Sequence, residues 1–101
     1  MAKAYWLARV DVTDAEAYKA YVAANAKVFA KYRARFLVRA GALVVKEGTS
    51  RARNVVIEFD DYATALACYE SPEYTEALRL RQNASVADVV IVEGYDGPQP
   101  G

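Results

Sequence analysis

The sequence predicts an α+β protein of the ferredoxin-like, split βαβ type: a four-stranded antiparallel sheet with its helices on one face. Three observations lead to it. Apolar residues alternate with period two in separate short segments, they recur at intervals of three and four in the segments between, and the elements run strand, helix, strand, strand, helix, strand.

In residues 4–12, Ala4, Trp6, Ala8, Val10 and Val12 point one way and Tyr5, Leu7, Arg9 and Asp11 the other, which defines a first strand. Thr13-Asp14-Ala15-Glu16 has the form of a capping box, so a helix starts there. Its stripe of Ala15, Tyr18, Tyr21, Val22, Asn25, Phe29 and Tyr32 carries one amide among apolar residues and packs on something flat. Residues 35–39 alternate again, with a bulge or break expected at Gly41 before Leu43-Val44-Val45 resumes the strand. The polar stretch 48–54, with Arg51 and Arg53, reads as a solvated turn before a third strand, Val55 to Phe59. Asp60-Asp61 caps a helix bearing Tyr62, Ala65, Leu66 and Tyr69. Ser71-Pro72 ends it and starts another with Tyr74, Ala77, Leu78 and Arg81, because Pro suits the first helical position after a Ser cap. Residues 86–95 form the last strand, apolar on both faces over Val89-Val90-Ile91-Val92. The domain is expected over residues 1–96, with 97–101 as a loosely ordered tail.

The 101 residues make one domain, and thirteen basic side chains against thirteen acidic ones argue against nucleic-acid or anionic-membrane partners recruited by net charge. There is no His, which excludes Ser-His-Asp and Cys-His nucleophilic sites and every His-ligated metal. The single Cys68 cannot form an internal disulfide, and no basic, apolar leader precedes the first strand, so a cytoplasmic protein is expected. No Gly-rich phosphate loop, dinucleotide motif or cysteine metal pair is present, and no cofactor and no metal site is expected.

If Trp6, Ala8, Val10, Phe36, Val38, Val55, Ile57 and Phe59 face the helices, the other sheet face carries Tyr5, Leu7, Arg9, Leu37, Arg39, Val56 and Glu58. That set is too apolar for a solvated face. The simplest cover is a second copy, two sheets closing into a dimeric α/β barrel with Arg9, Arg39 and Glu58 paired at the interface.

The segments Arg35-Phe36-Leu37-Val38-Arg39 with Gly41, Val56-Ile57-Glu58-Phe59, and Tyr69-Glu70-Ser71-Pro72-Glu73-Tyr74 followed by Arg79 and Arg81 resemble the bacterial domain of unknown function 1330, over residues 4–95. The resemblance implies a dimeric α/β barrel, a superfamily that also holds small cofactor-free monooxygenases, muconolactone isomerase-like enzymes and proteins without known activity. It implies no reaction. The family usually has a Gly pair where this chain has Arg33-Ala34, and a second Gly beside Gly41 where it has Ala40.

Arg39 and Glu58 match family positions and are the catalytic candidates. Arg39 would bind an anion and Glu58, shielded from water with a raised pKa, would act as general base; a structural ion pair is the alternative. Tyr18, Tyr21, Tyr69 and Tyr74, among eight Tyr in the chain, would line an aromatic ligand pocket or simply fill the core. Asn25 would fix a ligand carbonyl or sit at a solvated edge. Ser71 would hold a substrate carboxylate at a helix start or only cap that helix. Arg81 would reach an acidic ligand or the helix C-terminus, and Cys68 reads as a buried, unreactive thiol. Together these predict a homodimer binding a small aromatic or carboxylated molecule between helices and sheet. The alternatives are a cofactor-independent monooxygenase or isomerase using Glu58 with Arg39 or Arg81, and a non-catalytic dimer held by Arg9, Arg39 and Glu58.

Overall fold

A computed structural model describes residues 2–101; Met1, part of the expected 1–96 domain, lies outside them. The elements are β1 (Ala4–Val12), α1 (Ala15–Lys31), β2 (Arg35–Arg39), β3 (Arg53–Phe59), α2 (Tyr62–Glu70), α3 (Pro72–Gln82) and β4 (Ser85–Glu93). The strands form one antiparallel sheet in the order β2-β3-β1-β4. This is the expected ferredoxin-like topology.

Trp6, at the centre of β1 and 2 % exposed, holds the layers together. Its ring lies 5.3 Å from Phe29 of α1, 5.5 Å from Tyr69 of α2 and 5.1 Å from Tyr74 of α3, and its Nε1 donates to the carbonyl of Ala65 at 2.9 Å. One side chain thus touches all three helices, which places them on the same side of the sheet. Burial of so large an aromatic with its N–H satisfied is worth several kcal/mol, and Trp6→Ala is expected to cost roughly 3–5 kcal/mol.

The helix starts follow local chemistry. The Asp14 carboxylate, not the Thr13 hydroxyl, caps α1 by accepting from the Ala17 N–H at 3.1 Å. Glu16 instead pairs with Lys19, so the expected capping box does not close. Asp61 caps α2, and Ser71 caps α3 ahead of Pro72, as the sequence predicts.

β2 departs from expectation. The break lies within the strand: Phe36 pairs with Ile57 but Val38 with Val56, so Leu37 is an extra residue opposite β3. A one-residue bulge reverses the alternation beyond it. Val38 therefore shares the outer face with Val56, and Arg39, opposite Val55, shares the helix face. The strand ends at Arg39, and Ala40 turns the chain with φ +57°. Leu43-Val44-Val45 does not resume the strand; these residues are 46, 71 and 46 % exposed in the 40–52 connection. β3 starts at Arg53, two residues early, opposite the buried Val10. That puts Arg53 on the helix face too.

The outer face is ordered in rows. Val38, Val56, Leu7 and Val90 stand side by side across all four strands. Beside this apolar stripe lies the row Arg35, Glu58, Tyr5 and Val92, and beyond it on the other side Asn54, Arg9 and Asp88. No described helix is long and apolar enough to cross a membrane.

Candidate functional site

A cleft on the helix side of the sheet runs between α1, α3 and strands β1 to β3. It encloses about 480 Å³ counted out to its open side, of which only about 40 Å³ is wide enough to seat the centre of a water molecule. It is a narrow slot. Trp6, Phe29 and Tyr74 give it an aromatic inner wall, and Arg39, Arg53 and Arg81 bring three guanidinium groups to it.

Each arginine arrives by a different local cause. The bulge at Leu37 turns Arg39 inward, the early start of β3 brings in Arg53, and Arg81 continues the stripe of Tyr74, Ala77 and Leu78 on α3. Each guanidinium lies near an aromatic face: Arg39 is 4.1 Å from the Phe36 ring, Arg53 5.4 Å from Tyr18 and Arg81 5.5 Å from Tyr21. No carboxylate lines the cleft, and none of the three makes an ion pair among the described residues. Arg81 is only 8 % exposed, and the Nε of both Arg53 and Arg81 is buried without a hydrogen-bond partner. A buried cation without a counter-charge costs free energy, so this arrangement favours an anion in the cleft.

The deeper polar groups are neutral. The hydroxyls of Tyr21 and Tyr74 share a buried 2.7 Å hydrogen bond. Burial pushes both phenols above their ordinary value; for Tyr21 the hydrogen bonds from Tyr74 and Asn25 and the charge of Arg81 offset only part of this. Asn25, one helical turn beyond Tyr21, is 6 % exposed and its Oδ1 has no partner. The expected alternative of a solvated edge for Asn25 is thereby corrected.

The structure thus gathers Tyr18, Tyr21, Asn25, Tyr74, Arg81 and Arg39 around one cleft. It separates Glu58 from them. Glu58 is on the outer face, where Arg35 donates to it at 2.8 Å and Tyr5 at 3.3 Å. The Arg35 guanidinium holds the Glu58 carboxyl below its ordinary range, the reverse of the raised pKa expected for a base. The expected Arg39–Glu58 pair does not form, because the bulge puts the two on opposite faces. Arg9 likewise makes no ion pair among the described residues.

Ser71 lies outside the cleft and spends its hydroxyl locally, donating to the Cys68 carbonyl at 2.8 Å and accepting from the Tyr74 N–H. Tyr69 packs on Trp6 without lining the cleft. Burial pushes the Cys68 thiol up to about 12, so it stays protonated. Arg51 lies in the 40–52 connection as expected but is ion-paired, bridging Asp88 at 2.8 Å and Asp11 at 2.9 Å. Arg53, expected in a solvated turn, instead opens β3 and lines the cleft. The signal for it was present, since it stands two before Val55 on the alternation that Val55, Ile57 and Phe59 continue.

Fold and site together define a ferredoxin-like α+β domain with an arginine-lined slot beneath its helices. The chain belongs to the DUF1330 family, a domain of unknown function whose pattern matches residues 3–95. It resembles a protein of unknown function from Rhodopseudomonas palustris at 19 % identity and a TM-score of 0.75, over 95 % of this chain and 85 % of that one. It also resembles SnoaB, a cofactor-independent oxygenase from Streptomyces nogalater, at 12 % identity and 0.67, over 99 % and 97 %. A dimeric ferredoxin-like protein of unknown function from Thermobifida fusca matches at 16 % identity and 0.61, over 91 % of each chain. At these identities the likeness concerns the fold. No curated protein matches the chain.

Proposed function

We propose that this protein is a cytoplasmic homodimer that binds a small carboxylated or aromatic molecule in the slot between its helices and its sheet. The observation that carries this reading is the trio Arg39, Arg53 and Arg81 around a cleft with aromatic walls and no carboxylate. Arg81 and Asn25 would be poor core residues, since each buries polar atoms without protein partners; a ligand supplies the missing groups. The dimer is supported by the exposed stripe of Val38, Leu7 and Val90 and by dimeric neighbours of the same fold.

The cofactor-independent oxygenase or isomerase reading is favoured by one fold neighbour, the oxygenase SnoaB. It loses Glu58 as its base, because that carboxylate is on the outer face and ion-paired. A purely structural dimer leaves the buried, unpaired Arg81 of the cleft unexplained.

The test is a native mass spectrum of protein purified without added ligand, recorded under gentle and then denaturing conditions. The expected result is a dimer carrying an extra mass that denaturation releases and that Arg81→Met no longer retains. A dimer that carries no extra mass and takes up no small organic acid overturns the binding reading. A monomer overturns the dimer.

A further inference from the structure

The stretch Leu43-Val44-Val45 has the composition of a strand and no strand to pair with. It lies in the 40–52 connection with its three side chains exposed. Among the described residues, no backbone group of residues 41–48 is hydrogen-bonded to another backbone group. An apolar, β-branched segment with unpaired N–H and C=O groups is the kind that adds to a free sheet edge.

The fold offers such an edge. In the order β2-β3-β1-β4 the outer strands are β2 and β4. β2 is five residues long and bulged. β4 is nine residues long and runs in unbroken register with β1, leaving its other side without a partner. The devices that ordinarily blunt an edge are missing from it: it has no Pro, Lys or Arg, and Asp88, its one charge before the terminal Glu93, is neutralised by Arg51.

The position of the connection and the area of the molecule say what covers both. Leu43, Val44 and Val45 line a hollow together with Arg9 and Asn54, which belong to the outer face, so the segment stands on the side that carries the stripe of Val38, Leu7 and Val90. The shape is extended as well, with a radius of gyration of 14.3 Å against about 12.7 Å for a compact domain of this length. The chain exposes 6592 Å², against about 5,650 Å² for a compact monomer of its mass. The excess, roughly 900 Å², matches the area of about 800 Å² that each partner buries in a stable interface.

We infer that residues 42–46 form an arm that adds as a further strand to the free edge of β4 in a second copy of this chain, granted the homodimer proposed above. The exchange is reciprocal: a two-fold axis gives each arm an edge and each β4 an arm, so the assembly closes at two copies.

The experiment is hydrogen–deuterium exchange of the full chain, read by peptide mass spectrometry at protein concentrations above and below the dimer dissociation constant, which sedimentation equilibrium supplies. The expected result is slow exchange over residues 42–46 in the dimer, at least tenfold faster on dilution to monomer. Val44→Pro, which removes an N–H and forbids the ladder, should weaken association at least tenfold, while Val44→Thr, which keeps the N–H and the β-branch, should change it by less than about threefold. A dimer whose arm exchanges as freely as the monomer's, or whose association Val44→Pro leaves unchanged, overturns the inference and leaves the homodimer standing. Slow exchange of the arm at every concentration assigns it to its own copy and overturns the inference too. A monomer at every concentration overturns the inference together with the dimer reading on which it rests.

Discussion

The two faces of the sheet treat charge in opposite ways. On the outer face Arg35 bonds Glu58 and Asp60, and Arg51 bonds Asp11 and Asp88, so these two guanidinium groups each meet two carboxylates, while Arg9 makes no ion pair among the described residues. On the helix face Arg39, Arg53 and Arg81 meet none. Paired charges hold geometry, whereas a buried cation kept without a partner is a standing cost that folding alone does not explain. On the proposed reading, the outer face serves assembly and the inner face a ligand.

The largest effect that would break this comparison concerns assembly. Leu7→Lys with Val90→Lys puts like charges in the middle of the apolar stripe, opposite one another in register. In a face-to-face dimer the double substitution should weaken association at least 100-fold, about 3 kcal/mol, read by sedimentation equilibrium. On a solvated face the same change stays within about 0.5 kcal/mol and alters no oligomeric state. That outcome would remove the functional division between the faces.

Next comes a pair of substitutions with opposite signs. Arg81→Met removes a buried cation and keeps apolar bulk, so the free protein should gain roughly 1–3 kcal/mol in denaturant unfolding while losing ligand. Arg35→Gln removes the ion pair of Glu58 and one of the three that Asp60 makes, and should lower stability by a modest amount because these groups are partly exposed and screened. If both substitutions destabilise, Arg81 is a structural residue and the contrast fails.

The faces should also separate in their pH dependence. Glu58 and Asp11 have folded pKa values below their ordinary ones, through Arg35 and through the Ala52 N–H with Arg51 respectively. In the unfolded chain they take up protons first as pH falls. Their contribution is present above the ordinary value of 4.5 for Glu and 3.8 for Asp, and is lost as pH drops through the folded value. Tyr21 and Tyr74 in the cleft run the other way. Their folded pKa is raised above 10.0, so their contribution is present below that and is lost as pH rises through the folded value. Thermal melts against pH should therefore lose part of their acid limb in Glu58→Gln and part of their alkaline limb in Tyr74→Phe. A change in the wrong limb would show that the groups are misassigned.

Much of this was legible in the sequence, and the misplaced pairing of Arg39 with Glu58 has a definite physical origin. Trp6, Ile57, Phe59 and the Ser71-Pro72 start follow from local rules of alternation and capping, and the structure obeys them. Tyr21, Asn25 and Tyr74 follow from helical spacing. Arg39 was misplaced because alternation counts residues and takes no notice of a bulge, which no residue type at Leu37 announces. Misplacing Arg39 created the false partnership with Glu58 and concealed Arg35, whose position opposite Glu58 is a matter of cross-strand register. Arg53 was hidden by its polar neighbours, although its parity was correct. Long-range register, which local pattern does not carry, decided which face each charge occupied.

The smallest effect tests the backbone that delivers Arg39. Ala40 follows it directly with φ +57°, a left-handed conformation that disfavours a side chain by about 1–2 kcal/mol, and its N–H bonds the Asn54 carbonyl at 2.9 Å. Ala40→Gly relieves that strain and gives back part of the gain through a more flexible unfolded chain, leaving about 0.5–1 kcal/mol of net stabilisation. Gly41 has no positive φ, and a Cβ there meets nothing within 4 Å, so Gly41→Ala should also be neutral or slightly stabilising. Arg33, at φ +60°, is the matching case on the other side of β2, where Arg33→Gly should gain less because it also gives up an exposed ion pair with Asp60. Chemical denaturation of the three variants ranks these effects. A loss on Ala40→Gly would mean that the alanine is needed to fix the turn that ends β2, and with it the inward course of Arg39.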